Sequence, residues 1–227
     1  MATRASVEPC RTSLVPGSAM TRRHDLLGEV VRGAWATLSR WGAIGPESAA
    51  GKRFGRFGRG SVICFPANTI FNERYIHIGC DTMIGPQVTL SAGMMPGQVC
   101  LVDPVVRIGD RCLIGKGSGI VGHLSVAIGD DVWTGHHVYI TDQNHGYDDV
   151  DRPISRQTMP ERPVSIGDGS WIGHGTVVLP GARIGRHVTV GANSVVTGAL
   201  PDFCVAAGNP ARVIKRYDPE LGWIREK

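Results

Sequence analysis

A parallel β-helix, an all-β solenoid, is the fold class predicted by this 227-residue sequence. Three observations predict it: aliphatic residues recur at every sixth position, glycine is abundant at 31 residues, and aromatics are scarce at 6%. The period carries most weight. Ile166, Ile172, Val178, Ile184, Val190 and Val196 are evenly spaced. Four positions after each comes a small or aliphatic residue: Ser170, Thr176, Ala182, Val188, Ser194 and Leu200. Ile108, Ile114 and Ile120 keep the same step. After a two-residue slip Ile128, Thr134 and Ile140 resume it, and Ile78, Ile84 and Leu90 form a third run. A step of six fits neither a 3.6-residue helix nor a long alternating strand. It fits a short strand plus a turn, repeated, with the aliphatic pointing inward and glycine permitting the bend. Three such edges close one triangular coil, and coils stacked ~4.8 Å apart hydrogen-bond in parallel.

The elements follow in chain order. Residues 1–24 are expected to form a flexible tail, because "MATRASVEPCRTSLVPGSAM" has no apolar run of the kind a signal peptide needs. Residues 25–41, "DLLGEVVRGAWATLSRW", place Leu26, Leu27, Val30, Val31, Ala34, Trp35, Leu38 and Trp41 at helical spacing. Residues 25–50 are read as a helical cap packing on the main domain, and attachment to a membrane surface is the less favoured alternative. Residues 51–208 form the solenoid, interrupted by a loop at 141–163. Residues 209–227, including "PARVIKRYDPELGWIREK", leave the repeat as a C-terminal extension along a side of the solenoid.

Composition narrows the function classes. Charged residues at 19% and apolar residues at 42% are a globular balance. The net charge of +4 owes much to Arg22, Arg23, Arg32, Arg40, Lys52, Arg53, Arg56 and Arg59, read as a solvated basic face rather than a nucleic-acid site. Six cysteines without a C-x-x-C pair suggest reduced thiols in a cytoplasm, with neither a disulfide framework nor a zinc site. No apolar run approaches the ~18 residues of a membrane span.

The repeat stops at "YITDQNHGYDDVDRP", Tyr139 to Pro153, a polar loop with His145 near its start. The run "IGDGSWIGHGTVVLPGARIGRHVTVGANSVVTGALPDFCVAAGNPARVIKR" resembles the hexapeptide-repeat acyltransferases, in particular the branch of galactoside and maltose acetyltransferases. The resemblance is strongest over residues 106–216 and weaker over 51–105. It implies a left-handed β-helix, an exception to the right-handed crossover rule. It further implies an acetyl-CoA-dependent O-acetyltransferase acting on a hydroxyl of a sugar, a glycan precursor or a glycosylated metabolite. The assembly it implies is a homotrimer with active sites between subunits, without a metal and without nucleic acid.

The resemblance also assigns residues. "ITDQNHG" matches the loop that carries the family's catalytic histidine, so His145 is the candidate general base, with Asn144 beside it as an acceptor contact. A neutral imidazole, with an ordinary pKa near ~6.5, suits removal of a hydroxyl proton near neutral pH. Asp142, Asp148, Asp149 or a backbone carbonyl could orient the ring. His123, in "GSGIVGHLSVAIGDDVW", stands where some sugar acetyltransferases have an acidic residue that binds acceptor hydroxyls. Trp171 resembles a tryptophan at the mouth of the site, and Arg162 and Pro163 are expected to wall the same channel. Gly173 and Ala192 match turns that meet the pantetheine arm of coenzyme A. Thr197, Arg212 and Lys215 match its adenine and phosphate end, where Gly198 replaces a lysine common in relatives and leaves Arg216 as a further cation. His136 and His137 are read as structural or interfacial, and His174 as a turn residue that either touches the cofactor or faces solvent.

Two other function classes fit the sequence less well. A zinc carbonic anhydrase on this fold needs three imidazoles, and its relatives carry an H-x4-H pair that none of the eight histidines makes. A non-enzymatic scaffold needs neither the polar loop nor the "GNPARVIK" tail.

Overall fold

A computed structural model describes residues 19–226, with side chains from Asp25 onward. The tail expected over residues 1–24 lies outside the described residues as far as residue 18. From Ala19 the chain is helical: α1 spans Ala19–Gly42, so it begins ahead of the expected 25–41. Two compact units divide the chain, residues 1–41 and 42–227. Among the described residues, no helix is long and apolar enough to cross a membrane.

The second unit is a left-handed parallel β-helix. It starts before residue 51, because Ile44 and Ile63 exchange two backbone hydrogen bonds of 2.9 Å. Its strands fall into three sheets, each one face of a triangular prism. The first face runs from Arg56–Phe57 to Ala199–Leu200, the second from Val62–Ile63 to Gly222–Arg225, and the third from Ile70–Phe71 to Val195–Val196. Parallel register aligns the inward aliphatics into columns. Ile78, Ile108, Ile128, Ile166, Ile184 and Leu200 stack on the first face. Leu90, Ile120, Ile140, Val178 and Val196 stack on the third. All of these are at most 6% exposed. The six-residue period therefore is the core, read one coil at a time.

The turns explain the "IGD" triplets. The Asp110 carboxylate accepts the Cys80 N–H at 2.8 Å, Asp130 accepts that of Asp110 at 2.9 Å, and Asp168 that of Asp130 at 2.8 Å. Each aspartate thus satisfies an amide in the coil beneath it, at a bend where strand pairing has stopped.

The C-terminal extension does not pack along a side. Ala211–Asp218 pairs antiparallel with Cys204–Gly208, and Gly222–Arg225 pairs antiparallel with it in turn. The extension thus continues the second face past the last coil and covers the open strand edge there.

The departures from the repeat gather on one edge of the prism. Between third-face and first-face strands the chain inserts residues 93–105, then 123–125, then 142–163, before a regular four-residue turn at 179–182. The slip after Ile120 and the loop after Ile140 are therefore neighbours on successive coils.

Candidate active site

Both limbs of the 142–163 loop are tied down. The Asn144 N–H donates to the Pro160 carbonyl at 3.2 Å, Gly146 N–H to Thr158 at 3.0 Å, and Arg162 N–H to Asp142 at 2.8 Å. Gly146 is required by close approach: a Cβ there would come within 2.3 Å of the Thr158 oxygen. His145 sits between two of these ties, and its own N–H donates to the Asn144 Oδ1 at 3.0 Å.

The loop is anchored on the coil below by Asp142, which is fully buried. Its carboxylate accepts the N–H groups of His123 at 2.8 Å, Leu124 at 2.8 Å and Ser125 at 2.6 Å. The two-residue slip thus has a structural role, presenting three amides to one buried carboxylate. Asp142 is accordingly committed to these amides, and no hydrogen bond to the His145 ring occurs among the described residues. Asp149 accepts the Asp151 N–H at 3.1 Å within its own turn. The His123 side chain, only 6% exposed, lies under the returning limb with Nδ1 3.4 Å from a Glu161 carboxylate oxygen.

His145 and Asn144 line a cavity of about 230 Å³ with Tyr147, Pro160, Arg162, Leu179, Pro180 and Thr197. A second cavity of about 510 Å³ shares Arg162, Pro180 and Thr197 with it and adds Pro163 and Arg183. A third, of about 350 Å³, shares Thr197 and ends at Arg212, Arg216 and Glu226. The three make one trough with an exposed imidazole at one end and two guanidinium groups at the other. Arg216 is paired with Glu226. Arg212 meets no carboxylate among the described residues and bonds only the Ala211 carbonyl, at 2.9 Å.

The trough thus joins seven of the sequence-derived residues: Asn144, His145, Arg162, Pro163, Thr197, Arg212 and Arg216. Lys215 does not line it. Strand alternation puts Arg212 and Arg216 on one side of Ala211–Asp218 and Lys215 on the other. Tyr147, Leu179, Pro180 and Arg183 are not singled out from sequence; the step from Val178 to Ile184 is unbroken, and the one signal is that Leu179 stands where most coils carry glycine.

Trp171, Gly173 and Ala192 lie elsewhere. Trp171 is on the second face, 43% exposed, in register with Trp133 one coil away. Gly173 and Ala192 occupy stacked turns between the second and third faces, so tightly that a Cβ on Gly173 would lie 2.6 Å from the Ala192 nitrogen. The imidazoles of His136, His137 and His174 cluster on that edge at centroid distances of 5.6–6.5 Å. Within one chain the two groups of residues therefore stand on different edges of the prism. Among the described residues, no trio of His, Cys, Asp or Glu is placed to hold a metal ion.

Known proteins resemble this chain in sequence and in fold. Residues 163–198 match the family described as bacterial transferase hexapeptide (six repeats). Residues 105–141 match the hexapeptide repeat of succinyl-transferase. A Mycobacterium tuberculosis protein named "Probable acetyltransferase Rv3034c" is 40% identical over 118 residues, 52% of this chain and 39% of its own. Galactoside O-acetyltransferase of Escherichia coli is 30% identical over 155 residues, 66% of this chain and 68% of its own. The chain spans about half the length of the curated relatives it matches, 53% in one case and 56% in another. Among solved structures, the N-acyltransferase AntD from Bacillus cereus superposes with a TM-score of 0.66 at 21% identity, over 79% of this chain and 92% of that one. At that identity the likeness concerns the fold. The chain belongs to the hexapeptide-repeat transferase family, the family of galactoside O-acetyltransferase.

Proposed function

We propose that the protein is an acetyl-CoA-dependent O-acetyltransferase whose acceptor is a hydroxyl of a sugar, a glycan precursor or a glycosylated metabolite. The observation that carries this reading is the trough, with His145 at one end, Thr197 at its middle and Arg212 at the other. Arg212, with no carboxylate partner among the described residues, suits a phosphate group. The AntD complexes contain coenzyme A, which supports a coenzyme A ligand on this fold.

Bound acetyl-CoA supplies an activated thioester. His145 takes the proton of the acceptor hydroxyl as its oxygen bonds to the acetyl carbon. The carbon–sulfur bond then breaks, and the departing thiolate takes up a proton to leave as free coenzyme A. The ties from Asn144 and Gly146 hold the backbone of His145 in place, which keeps the imidazole from wandering over a loop-sized volume. Tyr147 and the Leu179–Pro180 pair shape the apolar wall next to it.

The reading includes a homotrimer. Gly173 and Ala192 share an edge that carries none of the trough, with Trp171 on the face beside it, and packing three prisms edge to edge would bring that edge against a neighbour's trough. Sedimentation of the purified protein at three times the chain mass is the expected result.

The test of activity is thiol release from acetyl-CoA across a panel of sugars and amino sugars. Hydroxyl acetylation is expected, with a loss of at least ~100-fold in His145→Ala and coenzyme A binding retained by calorimetry. Activity of the variant within about tenfold of the parent would remove His145 from the role of base. Acetylation confined to amines would overturn the hydroxyl acceptor.

A further inference from the structure

A further cavity, of about 610 Å³, lies on the same prism edge as the trough but toward the first coils. It opens between the turn after the strand Ile70–Phe71 and the inserted segment 93–105. Its walls are held in place. Asn72, at φ 57°, ties the inserted segment down: its Nδ2 donates to the Ala92 carbonyl at 2.6 Å and the Met95 carbonyl at 2.9 Å, and its Oδ1 accepts the Gly97 N–H at 2.7 Å. The Gln98 Oε1 accepts the Met94 N–H at 2.6 Å. Arg53 is neutralised by Glu73 at 2.7 Å. What these contacts leave over is uniform in kind. Arg74 meets no carboxylate among the described residues, and its guanidinium rests 4.9 Å from the Tyr75 ring centroid. The Gln98 amide nitrogen has no acceptor among the described residues. Both groups are donors, one of them cationic, and Phe71 adds a half-buried aromatic ring to the same cavity. Such a set fits a sugar that carries an oxyanion.

The cavity is linked to the loop that carries His145. Ile70–Phe71, Thr89–Ala92, Gly119–Gly122 and Tyr139–Thr141 are successive strands of the third face, three spacings or ~14 Å from first to last. The row of the edge between them, residues 123–125, is short, and the two longer segments meet across it. The Gln143 side-chain N–H donates to the Met94 sulfur at 3.4 Å. Gln143 is two residues from His145, and Met94 is two residues from Pro96 in the cavity wall. The trough runs from His145 toward the last coils and the cavity lies toward the first, so the base stands between them.

We propose that this cavity is a distal subsite for the acceptor, and that the acceptor is an acidic oligosaccharide. A hydroxyl of one sugar reaches His145 while a carboxylate or phosphate on a sugar further along the same chain meets Arg74 and Gln98. The proposal rests on the acceptor reading above and narrows it, since one sugar ring does not bridge a span of ~14 Å and a free monosaccharide forfeits the distal contacts. Anchoring the far end raises the occupancy of the reacting end without touching the chemical step, so the subsite acts on KM and leaves kcat alone.

The experiment is calorimetric titration of the full chain, without acetyl-CoA, with trigalacturonate and trehalose 6-phosphate, and with their neutral counterparts maltotriose and trehalose. Binding is expected for the acidic sugars over the neutral ones, and the two acidic probes separate a carboxylate ligand from a phosphate ligand. Arg74→Ala should weaken acidic-sugar binding about tenfold or more, whereas Arg212→Ala, at the far end of the trough, should leave it unchanged. Because Arg74 also rests on Tyr75, Arg74→Lys is the second variant: it keeps the charge and should recover part of the binding at an unchanged melting temperature. With acetyl-CoA present, Arg74→Ala should raise KM for the acidic acceptor about tenfold, with kcat and the neutral acceptor's KM unchanged. The proposal is overturned if neither acidic probe binds, if neutral probes bind as tightly, or if Arg74→Ala changes nothing. It is equally overturned if Arg212→Ala abolishes the binding, or if Arg74→Lys recovers none of it and melts lower, since the loss would then lie in the trough or in packing on Tyr75. Acetyl transfer that persists without the KM split overturns the subsite and spares the acetyltransferase reading. Arg74-dependent binding without acetyl transfer to any sugar overturns that reading, and with it the cavity's role as an acceptor subsite.

Discussion

Asp142 shows how a residue can be singled out for one task and hold another. Its position before His145 made it a candidate to orient the imidazole, yet its carboxylate is spent on the His123, Leu124 and Ser125 amides. Replacing it with alanine would leave three part-buried donors without this acceptor, each costing up to ~1–3 kcal/mol. Asp142→Ala is expected to lower stability by about 3 kcal/mol or more in urea denaturation; a change under ~1 kcal/mol would mean that water takes over the anchor. Gly146→Ala should behave differently. Its Cβ meets the Thr158 oxygen at 2.3 Å, so the limb that carries His145 must shift. A fall in kcat of about 100-fold with a nearly constant melting temperature is expected; equal activity would show that the limb need not be held. Cys112 offers a pH signature: burial pushes its thiol above the ordinary range. Its contribution to stability is therefore complete below the ordinary thiol pKa and lost as pH rises through the raised value. Alkylation of Cys112 in the native protein should be slower than in urea at mildly alkaline pH, measured by mass spectrometry.

At the scale of elements, the strand-and-turn period could be read from the chain because each step repeats one physical event, an aliphatic side chain entering a column. Ile128 stands between Ile108 and Ile166 in such a column. Ile128→Ala is expected to cost ~2–5 kcal/mol, whereas Met83→Ala, on an outward position 44% exposed, should stay within ~0.5 kcal/mol. Thermal or urea unfolding of the two variants checks the pair; similar losses would place Ile128 outside the core. His145 was legible because a polar loop interrupts a strict period. The third-to-first edge as a whole was less so. The slip after Ile120 registers in sequence as two surplus residues, and only stacking shows that it lies under the loop after Ile140. Lys215 and Arg216 were equally plausible cations by composition; alternation along Ala211–Asp218 separates them, and the strand itself was not expected there. The second-face hairpin lacks the six-residue period, so periodicity could not announce it.

Across the solenoid unit, contacts run mostly between neighbouring coils, so stability is expected to vary along its axis rather than act as one number. Amides around Ile108, Ile120 and Ile128 have coils on both sides, whereas Arg56–Phe57 and Ile70–Phe71 pair on one side only. Native-state hydrogen exchange should therefore be slowest in peptides spanning 106–140 and fastest in those spanning 56–71. A uniform exchange rate along the axis would indicate that the coils open together. The cluster of His136, His137 and His174 belongs to the edge between the second and third faces, which is where the trimer reading needs an interface. Deuterium uptake at residues 135–137 and 173–175 should fall as the protein associates.

The confinement of irregular segments to a single prism edge has a further consequence, for how such a protein can change. Residues 93–105, 123–125 and 142–163 vary in length there while the columns of the three faces keep their register. Lengthening or exchanging a segment at that edge shifts no strand and breaks no column. The scaffold is thus indifferent to what it displays along that line, much as a bookshelf is to the depth of the books. New acceptor preferences can arise by editing one row of loops, without renegotiating the core that holds them.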